Sequence, residues 1–144
     1  DHLQDPGNLG TIMRAAEAAG VTGILMSSDC VDIYNPKTIR STMGALYRVP
    51  FVVSEDFAGD IERLKKAGVS TYAAHLGATI SYEGADYKKP CAFMIGNEAN
   101  GLSDEVAALA DCKILIPMAG QVESLNAAMA ATVLMFEAAR QRRN

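Results

Sequence analysis

Three short clusters of polar residues and glycines sit where hydrophobic runs end, and they carry the side chains best placed to do chemistry. The first, Asp5-Pro6-Gly7-Asn8-Leu9-Gly10-Thr11-Ile12-Met13-Arg14, offers a carboxamide and a guanidinium. The second, Ile95-Gly96-Asn97-Glu98-Ala99-Asn100-Gly101-Leu102, offers a carboxylate between two glycines. The third, Ile116-Pro117-Met118-Ala119-Gly120-Gln121-Val122-Glu123-Ser124-Leu125-Asn126, offers a hydroxyl and a second carboxamide. Arg14 can hold a phosphate or carboxylate bidentately, or keep its head in water beside an apolar helix stripe. Gly96 and Gly101 let backbone groups approach a ligand, although Asn100-Gly101 is also a strong turn dipeptide. Ser124 suits a helix N-cap. Asn126 opens an apolar helix, where an unpaired buried amide costs about 1–3 kcal/mol, so it requires a partner. Three such loops in one small chain predict a single composite pocket.

The elements that must position these loops alternate. Apolar runs at Thr22–Ser27, Phe51–Val53, Val69–Ala74, Cys91–Ile95 and Cys112–Ile116 read as strands. Helices are expected over Asn8–Ala19, with Asn8 as N-cap, and over Pro36–Met43, Phe57–Ala67, Ser103–Ala110 and Leu125–Arg140. In the first helix Ile12, Ala15, Ala16 and Ala19 are expected to face the core. This order predicts an α/β domain with a mostly parallel sheet flanked by helices. The last helix, LNAAMAATVLMFEAA, is apolar on nearly every face and too short to span a membrane. It is expected to pack on its own sheet and against a second subunit.

Composition narrows the class. The 144 residues suit one domain with a sizeable core, at a net charge of −4. Proteins that grip nucleic acid by its backbone are usually basic, and the basic clusters Lys65-Lys66, Lys88-Lys89 and Arg140, Arg142, Arg143 read as solvated surface. Cys30, Cys91 and Cys112 are odd in number and lack ligand spacing, which argues against a disulfide framework or a zinc site and predicts no metal. No signal peptide or long apolar run is present, so the expectation is cytoplasmic with no membrane contact. The chain begins at Asp1, and Asp1–Leu3 read as the remainder of a first strand whose upstream part is missing.

The ordered motifs N-x-G-x-x-x-R, I-G-N-E-x-x-G-L and I-P-M-x-G-x-x-x-S-L-N-x-A-x-A resemble those of the SpoU/TrmH family. These are RNA ribose 2′-O-methyltransferases of the SPOUT superfamily, and the resemblance covers essentially the whole chain. It implies a deep C-terminal trefoil knot over about Phe93–Asn144, S-adenosylmethionine bound in that knot with S-adenosylhomocysteine as product, and a homodimer through the C-terminal helix. It implies an RNA substrate, ribosomal rather than transfer RNA, and an N-terminal RNA-binding domain upstream of a catalytic domain at 1–144. Asn8, Arg14, Glu98, Ser124 and Asn126 match the catalytic positions. Leu76, Gly96, Asn97, Gly101, Ile116, Met118 and Leu125 match positions around the cofactor. Arg14 is expected to clamp an RNA phosphate and stabilise a developing alkoxide, since a guanidinium does not give up its proton. Glu98 is expected to orient Arg14 or a ribose, and Ser124 and Asn126 to hold the hydroxyl and the cofactor. His75 is expected to pack, with no acidic partner evident.

Two other classes compete. A dinucleotide-dependent oxidoreductase needs G-x-G-x-x-G after an early strand, which Asp5–Arg14 lacks. A transfer-RNA methyltransferase, or a non-catalytic RNA-binding or assembly module on the same fold, would differ in substrate or in cofactor binding.

Overall fold

Asp5 and Pro6 start the first helix. In the computed structural model, which describes residues 1–143, α1 spans Pro6–Ala19 and the Asp5 side chain accepts the Asn8 N–H at 2.7 Å. Proline costs nothing at the first helical position, where its missing N–H has no partner anyway. Asn8 therefore lies inside the first turn, not at the cap expected from sequence, and its side chain is free to reach other loops. The helix buries Leu9, Gly10, Met13 and Ala16. Ile12, Ala15 and Ala19 are only partly buried, so the core face is turned toward Met13. α2, Pro36–Thr42, crosses α1 closely at Gly10. A Cβ on Gly10 would lie 2.7 Å from the Thr38 carbonyl oxygen and would overlap the Ser41 side chain.

The strands are parallel and fall into two groups. β1, Ile24–Ser27, pairs with β2, Phe51–Ser54. β3, Ser70–Ala74, β4, Ile80–Ser81, β5, Cys91–Met94, and β6, Cys112–Leu115, form a sheet in the order β4-β6-β3-β5. β4 is too short to have left a sequence signal. α3, Phe57–Lys66, and α4, Asp104–Ala107, pack on one face through Ile61 and Ala107, against Met94 of β5. α1 and α5, Ala127–Arg143, pack on the other face, against Phe93 and Ile95. This is the helix-flanked parallel layering expected from the alternating pattern. Among the described residues no helix is long and apolar enough to cross a membrane.

At the amino end of the larger sheet, Asp111 Oδ2 accepts from the Thr71 backbone N–H at 2.8 Å and its hydroxyl at 3.0 Å. α5 starts two residues later than expected and continues to Arg143. It buries Ala128, Ala131, Leu134, Met135 and Ala138, while Met129 and Phe136, seven positions apart, stay 49% and 41% exposed. Its carboxyl end holds the segment before β5: Gln141 accepts the Tyr87 N–H at 2.9 Å, and Arg142 Nε donates to the Tyr87 carbonyl at 2.9 Å. Asn144, the expected end of the knotted region, lies outside the described residues. A cavity of about 1140 Å³ separates the free edge of β1 from the free edge of β5.

Candidate active site

β6, β3 and β5 are adjacent and parallel, so their carboxyl ends lie side by side. Ligands of open α/β sheets bind at that edge. Three loops leave from it. The loop after β3 exposes Leu76, whose relative exposure is 67%. The loop after β5 carries Gly96, Asn97, Glu98 and Gly101. The loop after β6 carries Ile116, Met118, Ser124, Leu125 and Asn126. The cavity between β1 and β5 lies elsewhere, along the strand edges.

Hydrogen bonds join the three sequence clusters. Glu98 accepts from the Gln4 N–H at 3.0 Å, the Asp5 N–H at 2.9 Å and the Asn8 side-chain amide at 3.1 Å. Burial pushes the Glu98 pKa up, but these three donors outweigh it and leave the carboxyl below its ordinary value. Asn8 Oδ1 accepts from Asn126 Nδ2 at 3.0 Å. Asn126 Oδ1 accepts from the Ala128 N–H at 2.9 Å and so caps α5. Every amide atom in the run Glu98–Asn8–Asn126 is thus assigned a direction by its neighbour. Asn126 is exposed, not buried as expected, yet its amide still pairs with Asn8.

The second loop closes on itself. Asn97 and Gly101 exchange backbone hydrogen bonds at 3.1 and 2.8 Å, and the Asn97 side chain accepts from Ala99 and donates to the His2 carbonyl. A side chain on Gly96 would collide with the backbone of Gly101 and Leu102. Gly96 is therefore demanded by the turn, whatever else approaches it.

Other expected residues stand apart from this run. Arg14 is exposed and, among the described residues, makes no hydrogen bond or ion pair. Glu98 is engaged by Gln4, Asp5 and Asn8 instead, so the expected Glu98–Arg14 contact is not formed. Ser124 is exposed and does not cap α5, because Asn126 occupies that position. Among the described residues, the stretch 117–125 makes no hydrogen bond within the protein, and Val122 and Leu125 are 63% and 38% exposed. Its backbone donors and acceptors are available to a ligand. His75 has an acidic neighbour after all: Nε2 lies 3.4 Å from Asp104 Oδ1 while Nδ1 accepts the Gly77 N–H at 3.0 Å. That pair was invisible in sequence because Asp104 belongs to α4, beyond a different strand. The Gln4 and Asp5 amides were missed too. The Asp-Pro start of α1 was the one signal that could have placed Asp5 as the cap.

The sequence matches the SpoU rRNA Methylase family over residues 1–136. The chain belongs to this family. It is 40% identical over 141 residues to an uncharacterized tRNA/rRNA methyltransferase of Synechocystis, covering 98% of this chain and 52% of that protein. It is 35% identical over 136 residues to the 23S rRNA (guanosine(2553)-2'-O)-methyltransferase RlmP of Bacillus subtilis, covering 94% and 54%. The SpoU methyltransferase AviRb of Streptomyces viridochromogenes, solved in complex with the cofactor AdoMet, superposes with a TM-score of 0.91 at 36% identity, over 99% of this chain and 58% of that one. The chain thus spans about half the length of the curated relatives it matches. In this SpoU family member one residue from each of the three motifs, Asn8, Glu98 and Asn126, lies in a single hydrogen-bonded run.

Proposed function

We propose that this chain is the catalytic domain of an S-adenosylmethionine-dependent RNA ribose 2′-O-methyltransferase acting on ribosomal RNA. The observation that carries the reading is the Glu98–Asn8–Asn126 run, which ties the start of α1 to the loops after β5 and β6 at the carboxyl edge of the sheet. The cofactor would lie against Leu76, Gly96, Asn97, Gly101, Ile116, Met118 and Leu125. Support for that fit comes from the unpaired backbone of 117–125 and the exposed apolar side chains of Leu76 and Leu125. The cofactor supplies a methyl group made electrophilic by a sulfonium.

The chain's own residues align a ribose hydroxyl, and alignment of bound reactants is worth about 7–11 kcal/mol of barrier. Arg14, a cation with no protein partner among the described residues, would clamp an RNA phosphate and stabilise negative charge on the ribose oxygen, whose proton would pass to solvent as the methyl–oxygen bond forms and the methyl–sulfur bond breaks, leaving a neutral thioether. Asn126 and Ser124 hold the hydroxyl and the cofactor. Glu98 is a positioning residue that acts through Asn8. The names of relatives such as RlmP favour ribosomal RNA over transfer RNA as substrate.

The wider assembly belongs to the same reading. The C-terminal region forms a trefoil knot, and Met129 and Phe136 on α5 meet a second copy in a homodimer. An N-terminal RNA-binding domain precedes this one, and the enzyme works in the cytoplasm. Thermal-shift titration of the full-length protein with S-adenosylmethionine, followed by transfer of labelled methyl to ribosomal RNA, tests the proposal. Stabilisation that grows with cofactor concentration and label at ribose 2′-oxygen are expected. Absence of any cofactor-dependent shift would leave a non-catalytic module as the reading.

A further inference from the structure

The Glu98–Asn8–Asn126 run does not include the loop after β3, and one residue of that loop reaches toward both of its neighbours. His75 follows directly on β3. Its backbone N–H donates to the Ile114 carbonyl of β6 at 3.0 Å, so the start of the loop is fixed against the strand that leads to Ile116 and Met118. Its imidazole is only 20% exposed, and Nε2 lies 3.4 Å from Asp104 Oδ1. Asp104 opens α4, just beyond Gly101 of the loop after β5.

Between these contacts His75 supplies both acceptors of a turn. Its carbonyl accepts the Ala78 N–H at 3.0 Å, which closes residues 75–78. Its Nδ1 accepts the Gly77 N–H at 3.0 Å. An aspartate or asparagine oxygen makes the same bond in an Asx turn; here a ring nitrogen makes it. A Cβ on Gly77 would lie 3.2 Å from Nδ1 and 3.3 Å from Cε1, so a side chain there would press on the ring. An accepting Nδ1 leaves the proton of the neutral imidazole on Nε2, where it faces the Asp104 carboxylate. That carboxylate therefore favours the tautomer that the turn requires. Ala78 is buried and anchors the far end, while Leu76 is left at the tip, 67% exposed. A leucine held out in this way adds little to the core, so the turn is built to present it.

We propose that His75 is a positioning residue for the cofactor: its imidazole holds the 75–78 turn so that Leu76 stands against S-adenosylmethionine beside the loops after β5 and β6. The inference rests on the proposed function, which supplies the ligand, and extends it to a side chain that acts through Gly77 and Leu76. Without the Gly77 bond the turn keeps only its closure at Ala78. Binding must then order the turn and Leu76 as well, which weakens affinity. The effect falls on cofactor affinity and not on the transfer step.

Three variants of the full-length protein test this. Each is read by titration with S-adenosylmethionine, by the KM for cofactor against kcat, and by hydrogen exchange without cofactor. His75→Ala removes the acceptor. Its cofactor affinity should fall about tenfold, which corresponds to about 1.4 kcal/mol and to one lost hydrogen bond, with kcat little changed. Its Gly77 amide should exchange faster. His75→Asn places an oxygen where Nδ1 stands, so affinity and Gly77 exchange should stay close to those of the unaltered protein. His75→Gln carries its polar atoms one bond further out, at the level of Nε2, and should do no better than His75→Ala. An Asn variant as weak as the Ala variant overturns the proposal. So does a fall in kcat at unchanged cofactor affinity, which would put His75 on the reacting groups. A lowered melting temperature with unchanged affinity of the folded protein overturns it too, since that marks a structural residue alone. If the unaltered protein binds no cofactor, the proposed function falls and takes this inference with it. If it binds cofactor and His75→Ala binds equally well, this inference falls alone.

Discussion

The side-chain amide of Asn126 donates to Asn8 Oδ1 at 3.0 Å, joining two motifs that lie 118 positions apart. Asn8 in turn donates to Glu98, so its carboxamide is the middle of the run. Replacing Asn8 by Ala leaves an acceptor on Glu98 and a donor on Asn126 unpaired. The expected cost is about 1 kcal/mol of stability, the usual net value of such a bond. Transfer should fall by about 10²-fold, as a displacement of roughly 1 Å can cause. In a double-mutant cycle, Asn8→Ala and Asn126→Ala should be clearly non-additive; additive losses would show that the two side chains act separately.

Acid should loosen this junction. The folded-state pKa of Glu98 is depressed, so its contribution to stability is present above the unfolded value, about 4.3 for Glu. It is lost as pH falls through the lower folded value. Denaturant titrations from pH 6 to pH 3 should show a smaller acid-induced loss in Glu98→Gln than in the unaltered protein. Identical pH profiles would mean that the Glu98 carboxylate does not hold the junction together.

Arg14 is exposed and makes no hydrogen bond or ion pair among the described residues. Arg14→Ala should therefore change stability by no more than about 0.5 kcal/mol. Methyl transfer should be abolished, while cofactor affinity stays within a few-fold. Arg14→Lys keeps the charge but loses the planar fork, so it should restore little transfer. Equal loss of transfer and cofactor binding would contradict the proposed role.

Asp111 offers a contrast at the opposite end of the sheet. It satisfies the N–H and the hydroxyl of Thr71, whose residue is only 1% exposed. Asp111→Ala should cost about 1–3 kcal/mol through the stranded donors. Thermal unfolding should report that loss, with transfer per folded molecule unchanged. A selective loss of transfer would place Asp111 in the catalytic machinery.

The alternating apolar runs made the strands β1, β2, β3, β5 and β6 legible, although in β2 Val52 and Val53 stay 57% and 48% exposed and so are not explained by burial. Glycine and polar residues at strand ends likewise marked the three loops. What escaped depended on contacts between distant segments. Ser124 looked like a cap because its type fits, yet Asn126 stands immediately before α5 and can also reach Asn8. Glu98 carries no sign in sequence that it prefers backbone amides to a guanidinium. His75 and Asp104 come together only through the packing of α4 beside β3. β4 has two residues and no periodicity to read.

Gly10 sits between Asn8 and Arg14 at the crossing of α1 and α2, with no room for even a methyl group. Enlarging it would pry the two helices apart and displace both neighbours. A mutational screen would then rank Gly10 among the functional positions, though it has no group to offer an RNA. Tolerance at this point is governed by clearance between helices, and the lesion would be one of aim.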